Sequence, residues 1–282
     1  AASGCGSPRA ASAGRGARRR KTALPVMRPE RRLRGVAIVV AAAFAASAHA
    51  EPTNPALTMT VQDFAAKWVM QQGDIAGTGF YAAANAALRA SPGGGPRIVL
   101  MGDSITYHWK PELLPSFDGA TWINRGIPGQ NSSQMLLRFE DAVAALSPAV
   151  VVILAGTNDL RVYAGSHADA ASAILARLRS NVTAMADIAA ARGIRVVIGA
   201  VPPFDAERDG GRRDPETRRA ANAWLRTFAQ ARGHAFADYG GLADAEGCLR
   251  RDLTEDGLHP NAGAYALMRP VLADAVKVSG IR

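Results

Sequence analysis

The sequence has 282 residues, with 33 Lys and Arg against 24 Asp and Glu and a net charge of +9 at pH 7. Residues 1–50 hold ten of the basic residues and one acid, Glu30, while residues 51–282 hold 23 of each sign and are neutral overall. The body therefore carries no field that would draw it to phosphate backbones or anionic membranes, and nucleic acid is not an expected partner. A body of 232 residues suits one sizeable domain or at most two small ones, and 48% hydrophobic residues exclude general disorder. Two cysteines, Cys5 in the leading stretch and Cys248 in the body, are too few for a disulfide framework or a zinc cysteine cluster.

The first fifty residues read as two pieces. Residues 1–26 lack an initiator Met and are rich in Ala, Gly, Arg and Ser, the composition of a non-native extension or a disordered tail. From Met27 the pattern changes: Arg28, Arg31, Arg32 and Arg34 precede an apolar run from Gly35 to Ala46, which ends in Ala48-His49-Ala50. A basic start, a short apolar centre and an A-x-A end describe a secretory signal peptide over residues 27–50. The run is about 12 residues, short of the roughly 20 that a membrane-spanning helix needs, so no stable membrane anchor is expected after cleavage.

Beyond Glu51 the pattern alternates. Val61, Phe64, Ala65, Trp68 and Val69 recur at helical spacing, with Thr60 and Asp63 as a capping pair, and predict a helical segment within residues 51–96 that packs on the domain. After the break Ser91-Pro92-Gly93-Gly94-Gly95-Pro96 come apolar runs at 98–101, 150–154 and 196–201, with further strands expected at 121–124 and 235–238. Continuous apolar runs suit strands buried on both faces of a parallel sheet. Between them lie four helical stripes: Met135, Phe139, Val143 and Leu146; Ile174, Leu178, Val182 and Met185; Ala221, Trp224, Leu225 and Phe228; and Met268, Val271, Leu272 and Ala275. Pro270 is expected to kink or split the last helix. Strand and helix alternating five times predict an α/β, doubly wound, flavodoxin-like three-layer sandwich on a five-stranded parallel sheet over residues 97–282.

In such a sheet chemistry gathers beyond the carboxyl ends of the strands. The loops there read Gly102-Asp103-Ser104-Ile105-Thr106, Asn124-Arg125-Gly126-Ile127-Pro128-Gly129-Gln130, Gly156-Thr157-Asn158-Asp159 and Asp256-Gly257-Leu258-His259-Pro260. These four segments, in this order, resemble the four blocks of the SGNH, or GDSL-type, hydrolase superfamily. The longer strings around them look like secreted bacterial acylhydrolases of the lysophospholipase and arylesterase branch. The resemblance spans residues 97–270 and implies a serine esterase with a small-molecule ester substrate and no cofactor.

Ester hydrolysis needs an activated nucleophile, a base and donors for the oxyanion. Ser104 at a strand-end switch is the candidate nucleophile. Asp256 stands three residues before His259 in a turn-like segment, a spacing that lets its carboxylate reach Nδ1–H while Nε2 faces Ser104. Pro260 is expected at a helix N-terminus, fixing His259. For the oxyanion the candidates are the N–H of Ser104, the side-chain amide of Asn158 and, by the family pattern, the backbone of Gly129, with Gly126 as its competitor. Asp103 and Asp159 could suggest a metal, but their spacing is not that of ligands, and no metal is expected. Tyr107, His108 and Trp109 follow the nucleophile as a possible substrate pocket. The charged stretch 202–216 overhangs the same edge, either to receive a polar part of the substrate or as a solvated connection.

The reading is a secreted or periplasmic, cofactor-independent serine esterase. It would act on short-chain acyl or acetyl esters of carbohydrates, aryl groups or lysolipids, since no long apolar insertion of the lipase-lid kind is visible. A binding module for acylated sugars is the alternative; a phosphate-binding domain of the flavodoxin kind is disfavoured by the carboxylate of Asp103 where an anion would sit. The export signal makes one expectation concrete: N-terminal sequencing of the exported protein should begin at Glu51, and a terminus before Ala50 would overturn the signal-peptide reading.

Overall fold

The computed structural model describes residues 73–91, 93–161 and 170–281. The expected leader, the helix at 61–69 and His167 lie outside the described residues. The chain enters through a 3₁₀ turn at Thr78–Tyr81 and helix α1 (Ala82–Ala90). Then β1 (Arg97–Gly102) leads into the single-turn α2 (Ser104–Tyr107), and β2 (Thr121–Gly126) into α3 (Ser132–Leu137) and α4 (Phe139–Ala142). Next come β3 (Val150–Leu154), α5 (Ala170–Ala191), β4 (Arg195–Gly199), α6 (Pro215–Ala231), β5 (Ala235–Ala237) and α7 (Ala262–Val278).

The five strands form one parallel sheet in the order β2-β1-β3-β4-β5, the flavodoxin-like order expected from the sequence. Central β1 and β3 bury nearly every residue, and this is why they read as unbroken apolar runs. Each face carries its own core. Val99, Met101, Val151, Ile153, Leu178 and Leu225 belong to one, beneath α3 to α6; Leu100, Val152, Trp109, Tyr265 and Leu272 belong to the other, beneath α7. Among the described residues no helix is long and apolar enough to cross a membrane.

Two helices depart from expectation. The stripe Met135, Phe139, Val143, Leu146 is fully buried as expected, but it is not one helix. It breaks at Arg138 (φ −103°, ψ 6°), and a 3₁₀ turn at Ala144–Leu146 ends it. The cause is tertiary: the buried Arg138 guanidinium donates to Gln130 Oε1 (2.6 Å) and to the Gly102 carbonyl (3.1 Å), and the chain bends to bring it there. Conversely, α7 runs through Pro270 without splitting. Pro270 and Ala266, whose carbonyl the missing N–H leaves unpaired, both lie on the exposed face, so that carbonyl is not shut away from solvent. Cys248 is not free.

Candidate active site

The turn after β1 is held from several sides. Asp103 caps α2, its Oδ1 accepting the Ile105 N–H at 2.9 Å, so Ser104 becomes the first residue of that turn and is 8% exposed. Asn124 at the end of β2 donates to the carbonyls of Thr106 (2.6 Å) and Trp109 (3.3 Å) and accepts the Gly126 N–H (2.8 Å), pinning the C-terminal end of α2. Tyr265 of α7 donates to the Ile105 carbonyl at 2.7 Å.

His259 comes from the loop ahead of α7. An antiparallel bridge between Thr254 and Pro260 closes that loop, and Gly257 takes φ +84° inside it. The N-cap of α7 is Asn261, so Pro260 stands at the helix N-terminus, one residue before the cap. Asp256 grips the loop with one oxygen and the imidazole with the other. Oδ1 accepts the N–H groups of Leu258 (2.9 Å) and His259 (2.8 Å), and Oδ2 lies 2.6 Å from His259 Nδ1. Burial alone would raise Asp256, but these donors outweigh it and hold the carboxyl well below the usual carboxylate range. His259 Nε2 then lies 2.9 Å from Ser104 Oγ. Ser104, Asp256 and His259, 155 residues apart at the extremes, thus meet as a hydrogen-bonded chain.

The opposite wall comes from the loops after β2 and β3. Gly129 has φ +79°, a conformation that L side chains rarely adopt, and a Cβ there would meet open space. Its requirement for glycine is thus conformational within the protein itself. Gly126, the competing candidate, already donates its N–H to Asn124 Oδ1, and a Cβ on it would meet the Tyr107 nitrogen at 2.2 Å. It is a packing glycine. The N–H groups of Ser104 and Gly129 meet no acceptor among the described residues. Asn158 donates through Nδ2 to the carbonyl of Gln130 (3.0 Å), the residue next to Gly129. Asp159 accepts from the Ser132 N–H (2.9 Å) and hydroxyl (2.5 Å), joining these two loops from behind. The carboxylates of Asp103 and Asp159 therefore serve loop geometry.

The three residues after Ser104 separate. Trp109 is 2% exposed, donates to the Leu113 carbonyl (3.2 Å) and packs against Tyr239 and Tyr265; it belongs to the core and not to a substrate pocket. Tyr107 and His108 stay exposed, and the His108 ring stands edge-on to His259 with centroids 6.0 Å apart. His108 is held below the usual histidine range, first by burial and then by the neighbouring charge of His259.

The sequence reading missed Arg138, Ser132 and Arg213, which contact the site loops, and the part Gln130 plays within its own loop as partner of Arg138 and Asn158. For Arg213 no spacing in the sequence separates it from its exposed charged neighbours, since Arg208 and Arg212 are also four apart. Asp205, Asp209 and Arg213 recur every four residues in the charged stretch, and all three are buried (5%, 6% and 5% exposed), while Glu207, Arg208 and Arg212 face solvent. The stretch is thus not simply a solvated connection.

A serine, a histidine and an aspartate in sequence, beside unpaired amide donors at the ends of parallel strands, define a carboxylic ester hydrolase of the doubly wound type. The chain belongs to the GDSL-like lipase/acylhydrolase family, which it matches over residues 100–267. Two crystal structures are 32% identical to it in sequence over the part they cover. One is of a protein from Bacteroides fragilis assigned as an acylhydrolase, covering 72% of this chain and 97% of that one at a TM-score of 0.62. The other is of a GDSL-like lipase from Bacteroides thetaiotaomicron, covering 72% and 98% at 0.59. An acetylxylan esterase from Geobacillus stearothermophilus, 19% identical over 67% and 96% with a TM-score of 0.50, is similar in fold alone. No curated protein matches the chain.

Asp103 makes the electrostatics testable. It is 1% exposed, Oδ2 has no partner, and burial pushes its carboxyl up to about 6 against the opposing Ile105 hydrogen bond. A raised value in the folded state means a contribution that is fully present below the unfolded value of 3.8 and lost as pH rises through about 6. Asp103→Asn keeps the cap and stays neutral. It should melt with the wild type near pH 3.5 and roughly 5 °C above it at pH 7. Equal melting temperatures at pH 7 would show that the carboxylate is not penalised there.

Proposed function

We propose that Ser104 attacks the carbonyl carbon of a carboxylic ester while His259 Nε2 takes its hydroxyl proton and the Asp256 carboxylate stabilises the imidazolium that forms. The oxyanion of the tetrahedral intermediate would accept hydrogen bonds from the N–H groups of Ser104 and Gly129 and from the second N–H of the Asn158 amide. Collapse breaks the bond to the alcohol oxygen, which takes the proton from His259 and leaves an acyl group on Ser104. Water then repeats the sequence, giving its proton to His259, and the acid departs as Ser104 Oγ is reprotonated. The observation that carries this reading is the 2.9 Å contact from Ser104 Oγ to His259 Nε2, with Asp256 2.6 Å behind.

For the alcohol portion, the exposed aromatic side chains supply the argument. The leaving oxygen must approach His259 to receive its proton, so groups that extend from His259 lie on the alcohol side. A row of edge-to-face rings starts there: His259, His108 (6.0 Å), Tyr107 (5.2 Å) and Phe80 (6.1 Å), with Tyr107 44% and Phe80 54% exposed. Exposed aromatic faces favour a flat or ring-bearing partner, which supports aryl or sugar esters of short acids. Export through the signal at 27–50 belongs to the same reading.

Two measurements test it. With p-nitrophenyl acetate, Ser104→Ala and His259→Ala should each lower kcat by at least about 10⁴-fold, and the double variant should be little worse than either, because groups acting as one unit are not additive. Losses that multiply would separate the two residues. For the alcohol side, Phe80→Ala should raise KM for aryl and sugar acetates about fivefold and leave ethyl acetate unchanged. An equal change for all esters would detach Phe80 from the leaving group.

A further inference from the structure

We infer that the loop joining β4 to α6 braces the oxyanion donor, and that Arg213 is its positioning residue: it sets which end of the Asn158 amide faces the reaction centre. The inference rests on the reading of Asn158 as an oxyanion donor. The two ends of a primary amide have nearly the same shape, and only their partners distinguish them. A guanidinium can only donate, and Arg213 Nη2 donates to Asn158 Oδ1 at 3.2 Å. A carbonyl can only accept, and that of Gln130 takes Asn158 Nδ2 at 3.0 Å. Between them the amide is locked with its N–H₂ end toward the loop that carries Gly129. A reversed amide would set Oδ1 against a carbonyl oxygen and its N–H₂ against a guanidinium, and would offer the oxyanion a repelling oxygen.

Arg213 is itself fixed. Its Nε donates to the Thr157 carbonyl (2.7 Å), its Nη1 to Asp209 Oδ1 (2.5 Å), and its backbone pairs with Arg161 in an antiparallel bridge. Arg213 and Asp209 are each 4% exposed in their side chains, so the ion pair is withdrawn from solvent and the guanidinium is held without competing water. A cation on Oδ1 also polarises the amide and strengthens its N–H as a donor. The same loop reaches the other half of the site. Asp205 donates its N–H to the Gly257 carbonyl (2.7 Å), Arg208 donates to the Glu255 carbonyl, and a Cβ on Gly257 would strike Arg208 Cβ at 2.7 Å. One segment therefore holds Asn158 at one end and the turn of Asp256 at the other.

Wild type, Arg213→Met, Asn158→Ala and the double variant decide the matter, with kcat and KM measured on p-nitrophenyl acetate and folding checked by melting. Asn158→Ala should lose about 10²–10³-fold in kcat. Arg213→Met should lose on the order of tenfold in kcat with KM within about twofold, and should lose nothing more in the Asn158→Ala background, as residues in contact are coupled. Arg213→Lys should recover part of the loss, because an ammonium can still face Oδ1. An Arg213→Met loss of the same size in both backgrounds, or none in the wild-type background, overturns the inference. If Arg213→Met does not fold, Arg213→Lys carries the same comparison, and a loss that persists without Asn158 overturns it. An Asn158→Ala enzyme with wild-type kcat overturns the oxyanion reading itself, and needs no change at Arg213 to do so.

Discussion

The placement of Ser104 depends on two positions without a Cβ. The single turn α2 can lie across the ends of β1 and β2 only because Gly102 and Gly126 leave room for it. A Cβ at position 126 would sit 2.2 Å from the Tyr107 nitrogen and 2.7 Å from the Asp103 carbonyl oxygen, and one at 102 would sit 2.9 Å from the Leu154 carbonyl oxygen. Backbone atoms of the turn and of β3 cannot yield by such amounts without moving the turn or the sheet. This close approach lets Asn124 reach the carbonyls of Thr106 and Trp109, and it delivers Ser104 to the edge where His259 arrives.

Around that turn buried polar groups tie the loops together, with Asp103 Oδ2, Arg125 Nη2 and Arg138 Nη1 left without a partner. Asp159 ties the third loop to Ser132, Arg138 ties Gln130 to the Gly102 carbonyl, and Arg125 donates to Asn85 of α1 while lying over the Tyr81 ring. Tyr81 itself donates to the Gly126 carbonyl. The segment before β1 thus joins the loop that bears Gly129 through hydrogen bonds as well as packing. Buried networks of this kind are costly when incomplete and rigid when satisfied, and rigidity is what preset donors require.

The strands, and the helix faces that cover them, were legible because burial on both sides leaves an unbroken apolar run and burial on one side leaves a stripe. The site loops were legible because a parallel sheet sends its carboxyl ends to one edge, so that residues far apart in the chain are neighbours by topology alone. Asp256 and His259 were legible for a different reason: a spacing of three within one turn is a local relation that needs no knowledge of the fold.

The sequence by itself therefore determined the sheet, the order of its loops and the residues that meet at its edge. Only the tertiary structure decided which of two glycines has a free N–H, that Trp109 turns into the core, that one helical stripe breaks at Arg138, and that Asp205, Asp209 and Arg213 point inward. The physical reason is common to all four. Periodicity reports the average side on which a side chain lies, whereas the partner of a single N–H, indole or guanidinium is set by atoms from other strands and loops. Arg138 and Arg213 look like surface residues in the sequence because charge predicts exposure. They are buried because carbonyl oxygens, a glutamine and a carboxylate, brought from elsewhere in the chain, replace the water they leave.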